Sequence, residues 1–130
     1  MGEADIQLKI AEEMLADAKL LYEQKRFRSA ASRAYYAIFH AAKALLNQVG
    51  QSCQSHGGAI SRFGQYVVNT GLMDKDFSKF LGRAYNLREK GDYGLLFEGI
   101  EEEVERVVSD AEKFVAEAIK VLHQLQSKLK

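Results

Sequence analysis

Arg33-Ala34-Tyr35-Tyr36-Ala37-Ile38-Phe39-His40-Ala41-Ala42-Lys43-Ala44-Leu45-Leu46 is the stretch whose reading decides the fold. It is apolar and aromatic, yet it carries an arginine, a histidine and a lysine. Alanines at 30, 31, 34, 37, 41, 42 and 44 favour helix, because alanine gives up no side-chain entropy on entering one. They also leave a slim surface on which neighbouring helices pack closely. Each helical residue advances about 100°, so Arg33 and His40 share nearly one meridian, about 10.5 Å apart along the axis, with Tyr36 on the adjoining stripe.

Outward from this stretch the chain reads as helices separated by glycine. The second helix, holding the quoted residues, is expected over about Phe27–Gln48, after a break at Lys25-Arg26-Phe27-Arg28 and before Val49-Gly50. The first is expected over about Ala4–Gln24, with Ile6, Ile10, Met14, Ala18, Leu21 and Tyr22 at spacings of three and four. A third, about Ala59–Asn69, turns Ile60, Phe63 and Val67 inward and ends at Thr70-Gly71. A fourth runs over about Lys75–Lys90, with Asp74 as its N-cap. Leu95-Leu96-Phe97 reads as an apolar linker tucked against the core. The last helix starts near Gly99 or Ile100 and reaches about Ser127. Glu101-Glu102-Glu103 stand at its positive end, as the helix dipole favours. Its length, roughly 40 Å, is more than a bundle of shorter helices needs, so part of it is expected to pack on another chain. No stretch alternates with period two for long enough to be a strand. The expected fold is all-α, an up-and-down bundle of four to five helices in one domain spanning residues 1–130, with two long antiparallel helices first.

Composition narrows the function classes. The 130 residues include 18 basic and 18 acidic side chains, so the net charge is zero. That is not the profile of a protein that coats nucleic acid by charge alone. One cysteine, Cys53, excludes an internal disulfide and a cysteine-based zinc site. No secretory leader and no run of about 20 apolar residues is visible, so a cytoplasmic protein with no membrane association is expected. Phosphate-binding loops, dinucleotide fingerprints and His-Glu-x-x-His are absent, and His40, His56 and His123 lack metal-ligand spacing. No metal and no cofactor is implied.

Three constellations carry chemistry. Arg33, Tyr36 and His40, with Lys43 behind them, offer a fixed cation and a group that changes charge near neutral pH. Together they can hold a phosphate and move a proton. The plainer alternative is that both charged groups bond neighbouring helices at the core edge. Arg88-Glu-Lys-Gly-Asp92-Tyr93 places an Arg, an Asp and a Tyr at a helix end, suited to a phosphate or nucleoside, or equally to an i,i+4 pair with a tyrosine anchor. Ser55-His56-Gly57-Gly58 opens a helix with glycines whose N–H groups suit an anion, although glycine is also simply a turn residue.

With these residues in hand, the chain resembles the HEPN superfamily, and within it the small stand-alone prokaryotic members. The resemblance rests on Ser32 to Leu46, on Ser55-His56-Gly57 and on Leu87-Arg-Glu-Lys-Gly-Asp-Tyr-Gly94, in matching order. It implies a helical bundle, a homodimer, and nucleotide or RNA association, often beside a minimal nucleotidyltransferase in a toxin–antitoxin pair. Active members are metal-independent ribonucleases with Arg-x(4–6)-His late in the bundle. Here that position holds Arg88-x4-Tyr93, without the histidine. Arg33-x6-His40 fits the spacing on an earlier helix. The expectation is therefore nucleotide or RNA binding through Arg88, Asp92, Tyr93, Tyr36 and His56, with a nucleotidyltransferase partner. The alternatives are an endoribonuclease toxin with His40 as general base and Arg33 or Arg88 on the phosphate, or a non-catalytic helical interaction module.

Overall fold

All seven alanines of the quoted stretch and its first turn are fully buried, together with Tyr35, Ile38, Leu45 and Leu46. A helix buried around most of its circumference must be surrounded, and this one is the hub of the molecule. The computed structural model describes residues 2–53, 55–93 and 100–128, with the side chains of Asp92 and Tyr93 excepted. Leu95-Leu96-Phe97 and those two side chains thus lie outside the described residues. Among the described residues the chain forms α1 (Glu3–Glu23), α2 (Phe27–Gln48), α3 (His56–Phe63), a π-helical turn (Gly64–Val68), α4 (Asp76–Tyr93) and α5 (Glu101–Ser127), with no strand. Helices α1, α3, α4 and α5 all pack on α2. The small side chains of α2 leave them room to pack closely. No described helix is long and apolar enough to cross a membrane.

The inward face of α1 runs through Ala4, Leu8, Ala11 and Ala18. Ile6, expected on that face, is 44% exposed, and Leu20 is 54% exposed. Both lie about half a turn from the Ala4–Leu8–Ala11 stripe. The alanines of α2 leave room for the backbone of α1, so small residues rather than bulky ones mark its contact side.

The α1–α2 connection is short because Gln24–Arg26 closes α1 in a Schellman turn. The Arg26 N–H donates to the Leu21 carbonyl and the Lys25 N–H to the Tyr22 carbonyl, both at 2.9 Å. The left-handed position of this turn is held by Lys25, at φ 60°. The same pattern ends α2 and the π turn, where the left-handed residues are Gly50 (φ 82°) and Gly71 (φ 85°). Ser55 caps α3, its Oγ accepting the Gly58 N–H at 2.9 Å. The helix thus starts at His56, three residues before the position expected from its apolar spacing. It then widens, the Asn69 N–H bonding the Gly64 carbonyl five residues back. Asp74 accepts the Asp76 N–H at the start of α4.

Helix α5 lies antiparallel to α1 along nearly its whole length. The Tyr22 hydroxyl donates to the Glu105 carboxylate at one end, and the Gln126 amide donates to Asp5 at the other. Gln126 also reaches Gln48 at the end of α2.

Candidate functional site

Tyr35 and Phe39 are four apart on α2, so their rings share a stripe and stack, centroids 5.8 Å apart at 24°. Tyr36 leans edge-on against Tyr35 at 5.2 Å. Opposite them, α4 presents Tyr85 and Arg88, three apart and thus on one face. The Arg88 guanidinium carbon lies 5.6 Å from the Tyr35 centroid and 5.3 Å from that of Tyr36. A cation over aromatic faces gains about 0.5–2 kcal/mol per contact, more as water is excluded. From the first turn of α3, His56 enters between the two helices. Its ring centroid is 4.7 Å from Phe39, 5.4 Å from Tyr35 and 6.2 Å from Tyr85. Its Nδ1 meets the Tyr35 hydroxyl at 2.5 Å.

Two cations stand beside this cluster. Arg88 stands on one side of His56. Lys43, one turn along α2, sits 5.4 Å from the Phe39 centroid. Burial first and then Arg88 hold the His56 imidazole below its ordinary range, opposed by Glu89 and helped a little by Lys43. Burial pushes the Tyr35 phenol well up, outweighing Arg88. At neutral pH the group is thus a neutral imidazole and a neutral phenol beside fixed cations.

His40 occupies the other flank of Tyr36, ring centroids 6.3 Å apart. Its Nδ1 is 2.7 Å from Oε1 of Gln7, a buried residue of α1. The Gln7 amide in turn donates to Glu3 at 3.2 Å. Burial and then Lys43 lower the His40 pKa. Arg33 is exposed, with its guanidinium 3.4 Å from the Met14 sulfur on α1.

Of the residues expected from sequence, Tyr36, His56 and Arg88 are brought together, and Tyr36 connects them to His40. Arg33 and His40 share a meridian, and their contacts go to two different residues of α1. The side chains of Asp92 and Tyr93 lie outside the described residues. Sequence reasoning missed Tyr35, Phe39, Tyr85 and Gln7. The Tyr35/Phe39 and Tyr85/Arg88 spacings carried the signal for three of them. Gln7, polar within the apolar stripe of α1, carried it for the fourth.

A groove of about 1030 Å³ lies on the far side of α4, lined by Lys79, Arg83, Lys90, Arg106, Glu102 and Glu103 among others. Three of its cations are paired, Lys79 with Asp76 at 3.8 Å, Arg83 with the buried Asp110 at 3.3 Å and Lys90 with Glu103 at 3.8 Å. Much of its positive charge is thus balanced by neighbouring carboxylates. Among the described residues no three His, Cys, Asp or Glu side chains converge as a metal site.

An all-helical bundle with an aromatic and cationic cluster between its second, third and fourth helices defines the class, and the chain belongs to the HEPN family, whose domain matches residues 4–122. A relative in Methanocaldococcus jannaschii, named "Putative toxin MJ0605", is 43% identical over 118 residues, covering 91% of this chain and 87% of the relative. A UPF0332 protein of Thermotoga maritima is 40% identical, covering 89% of this chain and 88% of its own length. Another, from Archaeoglobus fulgidus, is 39% identical, covering 91% and 94%.

Proposed function

We propose that this chain binds a nucleotide or a single-stranded RNA segment at the cluster of Tyr36, His56 and Arg88, and acts as the toxin-like member of a pair with a minimal nucleotidyltransferase. The observation that carries the reading is the Arg88 guanidinium set over the Tyr35 and Tyr36 rings beside His56. A guanidinium recognises phosphate with a fork of donors. Aromatic rings accept an unstacked base, worth about 1–3 kcal/mol per base. A neutral imidazole supplies one further directed hydrogen bond. The relatives named as toxins support the biological role, and the family resemblance supports a cytoplasmic homodimer. Asp92 and Tyr93, four and five residues after Arg88 in the sequence, belong to the same ligand set in this reading.

Fluorescence anisotropy with a labelled single-stranded oligoribonucleotide, and calorimetry with adenosine 5′-monophosphate, test it. Arg88→Ala is expected to weaken binding at least about tenfold, the loss of one charge-assisted contact. Wild-type and variant proteins with equal affinity, or no binding by either, would overturn the reading.

A second reading is favoured by one contact. With Nδ1 of His40 engaged by Gln7, its Nε2 is left to act as a general base on a ribose hydroxyl, and the chain is then a metal-independent endoribonuclease. Incubation with a mixed RNA pool beside a His40→Ala control decides it, since equal products from both proteins exclude cleavage by His40.

A further inference from the structure

The two histidines flanking Tyr36 and Phe39 each have Nδ1 tied to a partner on another residue, and the partners differ in kind. Around His40 the chain of donors and acceptors runs one way. The ionised Glu3 carboxylate can only accept, so the Gln7 amide nitrogen must face it, as it does at 3.2 Å. That orientation turns the Gln7 carbonyl oxygen toward His40. A carbonyl oxygen only accepts, so the His40 Nδ1 must carry the proton, and in the neutral ring Nε2 then bears the lone pair. Around His56 the partner is the Tyr35 hydroxyl. Tyr35 is fully buried, and a buried hydroxyl proton needs an acceptor. His56 Nδ1 is the acceptor it meets, which leaves the His56 proton on Nε2.

We infer that Gln7 and Tyr35 are positioning residues that hold His40 and His56 in opposite tautomers, so that the cluster presents a hydrogen-bond acceptor at His40 Nε2 and a donor at His56 Nε2. The chemical consequence rests on the binding reading above. A ligand spanning Tyr36 and Phe39 meets a donor next to Arg88, suited to a phosphate oxygen. On the far flank it meets an acceptor, suited to a hydroxyl. A ribonucleotide carries both groups a few bonds apart, and the ribose 2′-hydroxyl is the one a deoxyribonucleotide lacks. The polarity also assigns the two polar residues behind His40 one task. Glu3 fixes the amide of Gln7, and Gln7 fixes the ring.

Long-range nitrogen–proton spectra of the histidine rings, recorded on the free protein at a pH where both are neutral, test the assignment directly. His40 Nε2 is expected at the non-protonated position and His56 Nδ1 likewise. In Gln7→Leu the His40 signals should move toward the mixed tautomer population of a free imidazole. In Gln7→Glu, where a carboxylate replaces the carbonyl acceptor, they should stay. Tyr35→Phe should release His56 and leave His40 unchanged. A wild-type spectrum with His40 protonated at Nε2, or with both rings in one tautomer, would overturn the inference. So would an unchanged His40 spectrum in a folded Gln7→Leu protein. Adding adenosine 5′-monophosphate to the wild-type sample reports separately on binding. Unperturbed histidine signals at saturating ligand would remove the binding reading and leave the tautomers standing.

Discussion

The two flanks of α2 carry similar residues and use them differently. Toward α1, Arg33 and His40 lie along one meridian, and each contacts its own residue there, Met14 for one and Gln7 for the other. Toward α3 and α4, Tyr35, Tyr36 and Phe39 meet His56, Tyr85 and Arg88 in one body of touching rings. Spacing along a helix aligns side chains in a row. Convergence needs a second and a third helix, and α3 and α4 supply them. Burial comes first among the causes of the pKa shifts on both flanks, at Tyr35 and His56 on one and at His40 on the other.

The contrast is broken most severely at Tyr35. Tyr35→Ala removes a fully buried ring that touches Tyr36, Phe39, His56 and Tyr85, and should cost about 3–5 kcal/mol in urea denaturation. Tyr35→Phe keeps the ring, removes one hydrogen bond and should cost about 1 kcal/mol. Arg33→Ala, on the other flank, should stay within about 0.5 kcal/mol, since Arg33 is exposed. Equal losses for Arg33→Ala and Tyr35→Ala would erase the distinction.

Acid sharpens the comparison, because a histidine stands on each flank. Both have pKa values lowered in the fold, chiefly by burial. Just below the ordinary imidazole pKa of about 6.5, the unfolded chain therefore binds more protons than the folded one. Their contribution to stability is complete above that pH and is lost as pH falls toward the lowered values. Denaturation midpoints should decline between about pH 7.5 and 5.5, and His40→Ala and His56→Ala should each flatten the decline. A flat wild-type profile would contradict the assignment of two neutral imidazoles. A control touches neither flank. Lys25 holds the left-handed position that glycine fills in the two sister turns. Lys25→Gly should stabilise the protein by about 0.5–1 kcal/mol, with ligand affinity unchanged.

Much of this fold was legible in the sequence because its determinants are local. Alanine content and the breaks on either side marked the extent of α2, and the three/four rhythm found the other helices within a few positions. The start of α3 was misplaced because Ser55 caps it ahead of the first apolar residue. The inward face of α1 was misassigned at Ile6 because contact with an alanine-rich helix favours small residues over large ones. The site was legible only in part. Tyr36, His56 and Arg88 stood out as polar tips in recognisable runs. Tyr35 and Phe39 read as core, which they partly are, and their second role depends on a histidine some 20 residues on. Gln7 gains meaning only from His40, 33 residues away.

The central claim is that ligand sits on the α3/α4 flank. It is tested most directly by the affinity of one labelled oligoribonucleotide for wild type, Arg88→Ala and Arg33→Ala at a single salt concentration. The account predicts a loss of about tenfold or more for Arg88→Ala and about threefold or less for Arg33→Ala. The reverse order, or equal losses, would contradict it.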